Sequence, residues 1–287
     1  MGLTIRHDEL LHPKAGPRSG WACPGRVLTE GMTPALSLAG LSKSFGPKRA
    51  VDNLNLDVRR GCMFAMVGPN GAGKTTTLSM ATGLLRPDAG TALVLDHDVW
   101  RNPPAAKALM GVLPDGLRLF DRLSGSELLR YVGLLRRVPP EDIASRSDEL
   151  LDALGLREDS DTLVVEYSAG MTKKIGLACA LIHAPRLLVL DEPFESIDPV
   201  SGEAIRSILR NYARAGGTVV MSSHVMELVE SLCDELAVVA QGRVLTAGTL
   251  DQVRAGSTLQ QRFLELVGFR AAGEEALSWL RSSSASS

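Results

Sequence analysis

The chain has 287 residues, 45% of them apolar and 22% charged, with a net charge of −2, which suits one large α/β domain or one domain with appendages and gives no reason to expect a nucleic-acid partner. No stretch approaches the roughly 20 apolar residues needed to cross a bilayer, and the first residues lack the apolar core of a signal peptide. The four cysteines are scattered, as suits reduced thiols rather than a disulfide framework, so the expectation is a soluble protein whose membrane role would have to come through a partner.

Residues 1 to about 33 carry Pro13, Pro17, Pro24 and several glycines without helical or strand periodicity, and read as a disordered tail. Met32 stands directly before the first patterned segment, which suggests that translation starts there; the intact mass of the native protein tests this, and a full-length product refutes it. Leu36 to Phe45 has a strand pattern, a turn follows at Gly46-Pro47, and Leu54, Leu56 and Val58 alternate across a second strand. These give antiparallel strands near the N-terminus. The apolar run Cys62–Val67 then reads as a buried strand, and Thr76–Thr82 as the opening of a helix that stops at Gly83.

Between that strand and that helix lies Gly68-Pro69-Asn70-Gly71-Ala72-Gly73-Lys74-Thr75-Thr76. It matches G-x-x-x-x-G-K-[ST], the phosphate-binding loop, in the strand–loop–helix setting the motif requires. Glycines let the backbone turn tightly and bring N–H groups to phosphate oxygens, and the helix N-terminus adds partial positive charge at the same point. Lys74 would reach the β- and γ-phosphates and the Thr75 hydroxyl would ligate Mg²⁺.

Further on, Thr91–Leu95 reads as a strand, 103 to 110 as a short helix opened by Pro103-Pro104, and Gly111–Leu113 as a brief strand ended by Pro114. Helical periodicity dominates from Ser124 to Leu154, split in two by Pro139-Pro140. Strands return at Leu187–Leu190, Thr218–Ser222, Leu236–Val239 and Val244–Leu245. This order predicts an α/β fold of the P-loop NTPase type, with a mostly parallel core sheet and an inserted helical subdomain over about 115–183. The domain proper would run from 34 to 250, and 251–287 would be a short helical extension and tail.

Leu187–Leu190 closes on Asp191 and Glu192, and ligands bind at the carboxyl ends of buried parallel strands. Asp191 would then face the nucleotide's Mg²⁺, with Glu192 one residue further to orient an attacking water; a surface acid pair is the plainer alternative. Ser168 is a good helix N-cap, backed by a stripe of Met171, Ile175, Ala178 and Ile182, which leaves a helix N-terminus facing outward. Asp198, before Pro199, also has the makings of an N-cap.

At these residues the chain resembles the ATP-binding subunits of ABC transporters, in particular the bacterial exporter-associated type. Val164–Met171 occupies the place of the family's LSGGQ-like signature, and Phe45, the Gly68–Thr76 loop, Asp115, Ser196-Ile197-Asp198 and His224 follow the family's landmarks in order from about Leu36 to Gly248. The resemblance implies ATP and Mg²⁺ as ligands and ATP hydrolysis coupled to transport. Phe45 would stack on the adenine, where the family often has tyrosine; a core phenylalanine is the alternative. Gly68–Thr76 would hold the phosphates, with Thr75, Asp191 and Asp115 toward the metal. Glu192, His224 and Lys74 would carry the chemistry, with His224 as the switch histidine.

Ser168, Ala169, Gly170 and Asp198 would complete the site of a second copy or of a different ATP-binding chain, paired head to tail. A separate transmembrane permease subunit would place the pair at the cytoplasmic face of the membrane. Three spellings depart from the family: Ala169 stands for a glycine, Met171 for a glutamine, and Asp115 for a glutamine whose carbonyl contacts the metal or the water. For Asp115 a water-bridged metal contact is favoured over a purely mechanical loop. Leu117, Leu119, Phe120 and Leu123 could cup a helix of the membrane partner or pack within the subdomain. His97 and His183 are expected to be structural or exposed. The alternative function is a soluble ABC-type ATPase acting on ribosomes or nucleic acid, although the chain has neither fused twin cassettes nor a long coiled-coil insertion. A plain nucleotide kinase or GTPase would need neither Tyr167–Met171 nor His224.

Overall fold

A computed structural model describes residues 33–268. Of the tail expected over residues 1 to about 33, residues 1–32 lie outside the described residues, as do the start site suggested at Met32 and the end of the C-terminal extension. Two sheets make the frame. The first is antiparallel, in the order β2-β1-β4-β5, from β1 (Leu36–Phe45), β2 (Lys48–Val58), β4 (Ala89–Val94) and β5 (His97–Asp98). The second has six strands: β3 (Met63–Val67), β6 (Met110–Leu113), β7 (Leu187–Leu190), β8 (Thr218–Ser223), β9 (Glu235–Ala240) and β10 (Arg243–Thr249). Its order is β10-β9-β3-β8-β7-β6, parallel except for the hairpin that adds β10 to β9.

The apolar runs of this second sheet are continuous because both faces are covered, and the period of two is visible in where each side chain goes. Met63, Ala65 and Val67 join Leu188, Leu190, Val219, Met221, Leu236 and Val238 in one core. Phe64 and Met66 join Leu187, Val189, Val220, Ala237 and Val239 in the other. Against the Phe64 face lie α1 (Lys74–Ala81) and the antiparallel sheet, through Leu78, Met80, Leu36, Leu38 and Leu54. Against the Met63 face lie α6 (Pro199–Arg214), α7 (Met226–Leu232) and the helices inserted between β6 and β7. Those are α3 (Gly125–Leu135), α4 (Pro140–Ala153) and α5 (Ala169–Leu181). Ser124 and Glu127 form a reciprocal capping box that starts α3, and Pro139-Pro140 separates it from α4 as expected. The short helix α2 (Pro103–Ala108) precedes β6.

Two details differ from the sequence expectation. Helix α1 begins at Lys74, inside the glycine loop, two residues before Thr76. The strand expected to end at Leu95 stops at Val94, because Leu95 and Asp96 both take positive φ (47° and 70°). Two successive left-handed residues make the tight turn of a two-residue hairpin, and Val94 pairs with His97 across it. The expected helical extension is present where it is described, as α8 (Leu250–Arg254) and α9 (Leu259–Leu266), which bury Val253 and Leu259 in the Met63-side core. Among the described residues no helix is long and apolar enough to cross a membrane.

Candidate active site

The loop after β3 can be followed only by glycine at two points. A Cβ on Gly68 would lie 2.3 Å from the Val239 carbonyl oxygen, and one on Gly73, where φ is +100°, would lie 2.4 Å from that of Ala50. The close approach has a purpose in the frame. The Gly242 N–H donates to the Ala72 carbonyl at 2.9 Å, and the Gly242 carbonyl accepts from the Asp52 N–H at 2.9 Å. The β9–β10 turn and β2 thus clamp the loop from outside. Pro69 to Thr76 form one wall of a cleft of about 440 Å³, with Phe45, Lys48, Asp115, Glu192, Glu195 and His224 around the rest. Gly68 is buried beneath it. The N-terminus of α1 opens on this cleft, so its amides and dipole favour an anion there.

Lys74 is 6% exposed and donates through Nζ to the carbonyls of Gly68 at 2.7 Å and Pro69 at 3.4 Å. The same nitrogen lies 3.7 Å from Glu192 Oε1. The other carboxylate oxygen of Glu192, Oε2, is 3.0 Å from Nδ1 of His224. Three groups from three separate elements therefore meet: the loop lysine, the acid after β7 and the histidine after β8. Glu192 holds a φ of +46°, a left-handed conformation that costs a non-glycine residue on the order of 1 kcal/mol or more. Its N–H donates to Ser222 Oγ at 2.8 Å, and the Ser222 hydroxyl donates in turn to Asp191 Oδ1 at 2.5 Å. Asp191 is buried below the cleft floor at 4% exposure.

Among the described residues no cluster of three or more His, Cys, Asp or Glu side chains could hold a metal by itself. The donors here are one buried carboxylate, Asp191, an exposed Thr75 hydroxyl on the cleft wall, and the exposed Asp115 across from it. Such a set fits Mg²⁺, which takes one or two carboxylates and completes its octahedron with phosphate oxygens and water. The Asp115 carboxylate accepts the Gly116 N–H at 2.9 Å.

Ser168, Ala169, Gly170 and Asp198 do not line this cleft. Ser168 is exposed and caps α5, its Oγ accepting from the Met171 N–H at 3.2 Å. Behind it Ile175, Ala178 and Ile182 are fully buried. The turn is held by Tyr167, whose hydroxyl donates to the Asp159 carbonyl at 2.8 Å. Asp198 caps α6 with one oxygen on the Val200 and Ser201 amides, both at 3.0 Å, and hydrogen bonds from Ser201 and Val200 hold its carboxyl below the usual range. Leu117, Leu119 and Leu123 pack against the core, whereas Phe120 is 56% exposed and packs edge-on against the also exposed Tyr131 at 5.1 Å. His97 is exposed. Burial, with Arg136 nearby, pushes His183 down to about 4, so its ring is neutral and Nε2, 3.1 Å from the Met110 carbonyl, can donate to it.

Sequence reading missed Lys48, Glu195 and Ser222. Ser222 is the first of the Ser-Ser pair that ends β8 directly before His224, a polar close to a buried strand that could have marked it.

The family described as "ABC transporter" matches residues 51–195. The daunorubicin/doxorubicin resistance ATP-binding protein of Streptomyces peucetius is 36% identical over 248 residues, 86% of this chain and 75% of that one. The Nod factor export ATP-binding protein I of Ralstonia nicotianae is 38% identical over 218 residues, 76% and 68% of the two chains. Among solved structures, an ATP binding subunit of an ABC transporter superposes with a TM-score of 0.77 at 27% identity, over 81% of this chain and 99% of that one.

Proposed function

The chain belongs to the ABC transporter family as an ATP-binding, ATP-hydrolysing subunit, and on that premise we propose how its residues do the work and with which partners. Residues 34–250 act as the ATP-binding domain, and Phe45 supplies a ring face for the adenine. The amides of Gly68–Thr76 and the Lys74 ammonium hold the phosphates. The observation that carries this reading is the meeting of Lys74, Glu192 and His224 within 3.7 Å contacts at the rim of one glycine-built cleft. Thr75 and Asp191, with Asp115 through a water, would hold Mg²⁺, which when bound offsets negative charge on the phosphate oxygens. Glu192, within hydrogen-bond reach of His224, orients the attacking water and accepts its proton, while His224 holds the carboxylate in place and donates toward the γ-phosphate.

Because Ser168 and Gly170 stand outside their own cleft on an open helix N-terminus, they are assigned to the cleft of a second ATP-binding chain, with Asp198 at the same interface. Closure and reopening of that pair would drive a separate transmembrane permease at the cytoplasmic face of the membrane. The relatives named for drug resistance and Nod factor export support export as the direction. Affinity capture from detergent-solubilised membranes tests the assembly. A polytopic membrane protein should co-purify; recovery of ribosomes or DNA in its place would favour the soluble alternative. Asp115→Gln should shift the Mg²⁺ concentration giving half-maximal turnover by a few-fold, since a neutral carbonyl replaces a charged oxygen. An unchanged Mg²⁺ profile would remove Asp115 from the metal site.

A further inference from the structure

We propose that Lys173, on the first turns of α5, is a positioning residue for hydrolysis that fixes the main chain of Glu192; this rests on the role given to Glu192 above. The Lys173 Nζ donates to the Glu192 carbonyl at 2.6 Å and reaches the Glu195 carbonyl at 3.5 Å. Among the described residues no carboxylate forms an ion pair with it, so its charge is directed at the two backbone oxygens. A charge-assisted bond of this length is among the stronger polar contacts a protein makes.

What it grips is a strained segment. Glu192 and Ser196 both have left-handed φ values, 46° and 62°, without being glycine. Such residues persist only where their surroundings over-determine them. Glu192 is over-determined from both sides: its N–H is bound to Ser222 Oγ at 2.8 Å and its carbonyl to Lys173. With those two ends fixed, the carboxylate is delivered to His224 and Lys74. The neighbouring Lys174 reaches Ser201 Oγ at 3.4 Å, in the first turn of α6, so adjacent lysines of one helix hold both ends of residues 192–201. The helix they belong to is the one capped by Ser168. A shift of α5 against the core sheet is therefore transmitted to the Glu192 carboxylate through Lys173.

Lys173 does not line the cleft, so its loss should leave ATP binding alone and act on the chemical step. The test is single-turnover and steady-state ATPase measurement on the full chain, with ATP affinity and melting temperature, for Lys173→Met, Lys173→Arg, Glu192→Gln and the double variant Lys173→Met/Glu192→Gln. Lys173→Met is expected to lower kcat by about 10–100-fold with KM, ATP affinity and Tm unchanged, the worth of one charge-assisted bond at the reacting geometry. Lys173→Arg should recover most of it, and adding Lys173→Met to Glu192→Gln should cost nothing further. A kcat within twofold of wild type overturns the proposal, as does a KM rising in step, a lower Tm that arginine does not rescue, or an equal further loss in the Glu192→Gln background. If Glu192→Gln is inactive and Lys173→Met active, only this inference fails. Wild-type turnover by Glu192→Gln would sink both it and the role of Glu192.

Discussion

Glu192→Gln is expected to bind ATP as wild type does and to hydrolyse it about 10²–10⁴-fold more slowly, the range that a positioned proton acceptor contributes. The side chain keeps its length and the left-handed main chain stays tied to Ser222 and Lys173, so the cleft keeps its shape. What is lost is the basic oxygen facing His224 at 3.0 Å. Binding should hold or tighten slightly, because Lys74 loses a negative neighbour at 3.7 Å and its charge is more fully offered to phosphate. Steady-state ATPase assay and titration with a fluorescent ATP analogue check both halves. Turnover within a few-fold of wild type would take Glu192 out of the reaction.

Ser168→Asp is the second large effect. Aspartate is as good an N-cap as serine, so α5 keeps the bond to the Met171 amide and the melting temperature should hold. Its charge, however, faces outward at a helix end assigned to another chain's γ-phosphate. Removing one preorganised donor at such a point costs about 10²–10³-fold in rate, and a repelling charge costs no less. Affinity of the single protomer for ATP should not change, since Ser168 lies outside its own cleft. Mixing Ser168→Asp with Lys74→Ala should restore part of the turnover, because only a mixed pair contains one site with neither substitution. If the mixture stays as inactive as its parts while wild type is active, the shared site is wrong.

Much of this was legible in the residues themselves. The unbroken apolar runs Cys62–Val67 and Leu187–Leu190 mark strands buried on both faces, and the glycine loop between β3 and α1 carries its own chemistry. Asp191 and Glu192 were recognisable because polar groups at the ends of apolar parallel strands fall on the ligand side of such a sheet, whereas His224 followed only from the family resemblance. What stayed hidden depends on pairing and on backbone strain. The Leu95-Asp96 turn has none of the Asn-Gly or Asp-Gly spelling that usually announces two left-handed residues. The burial of Leu259 in the core needs the packing of α7 and α9, which no local pattern reveals. Lys173 reads from sequence as one more helix-surface lysine; only the fold brings its Nζ to a carbonyl nineteen positions away.

Light scattering on Glu192→Gln with and without ATP measures the main assertion most directly, that the nucleotide lies between two chains. With ATP and Mg²⁺ the particle should move from the protomer mass of 30.6 kDa to twice that value, and Ser168→Asp added to the same chain should return it to the protomer. A particle that holds ATP and remains at 30.6 kDa, while the wild-type protein in that same state hydrolyses it, would contradict the account.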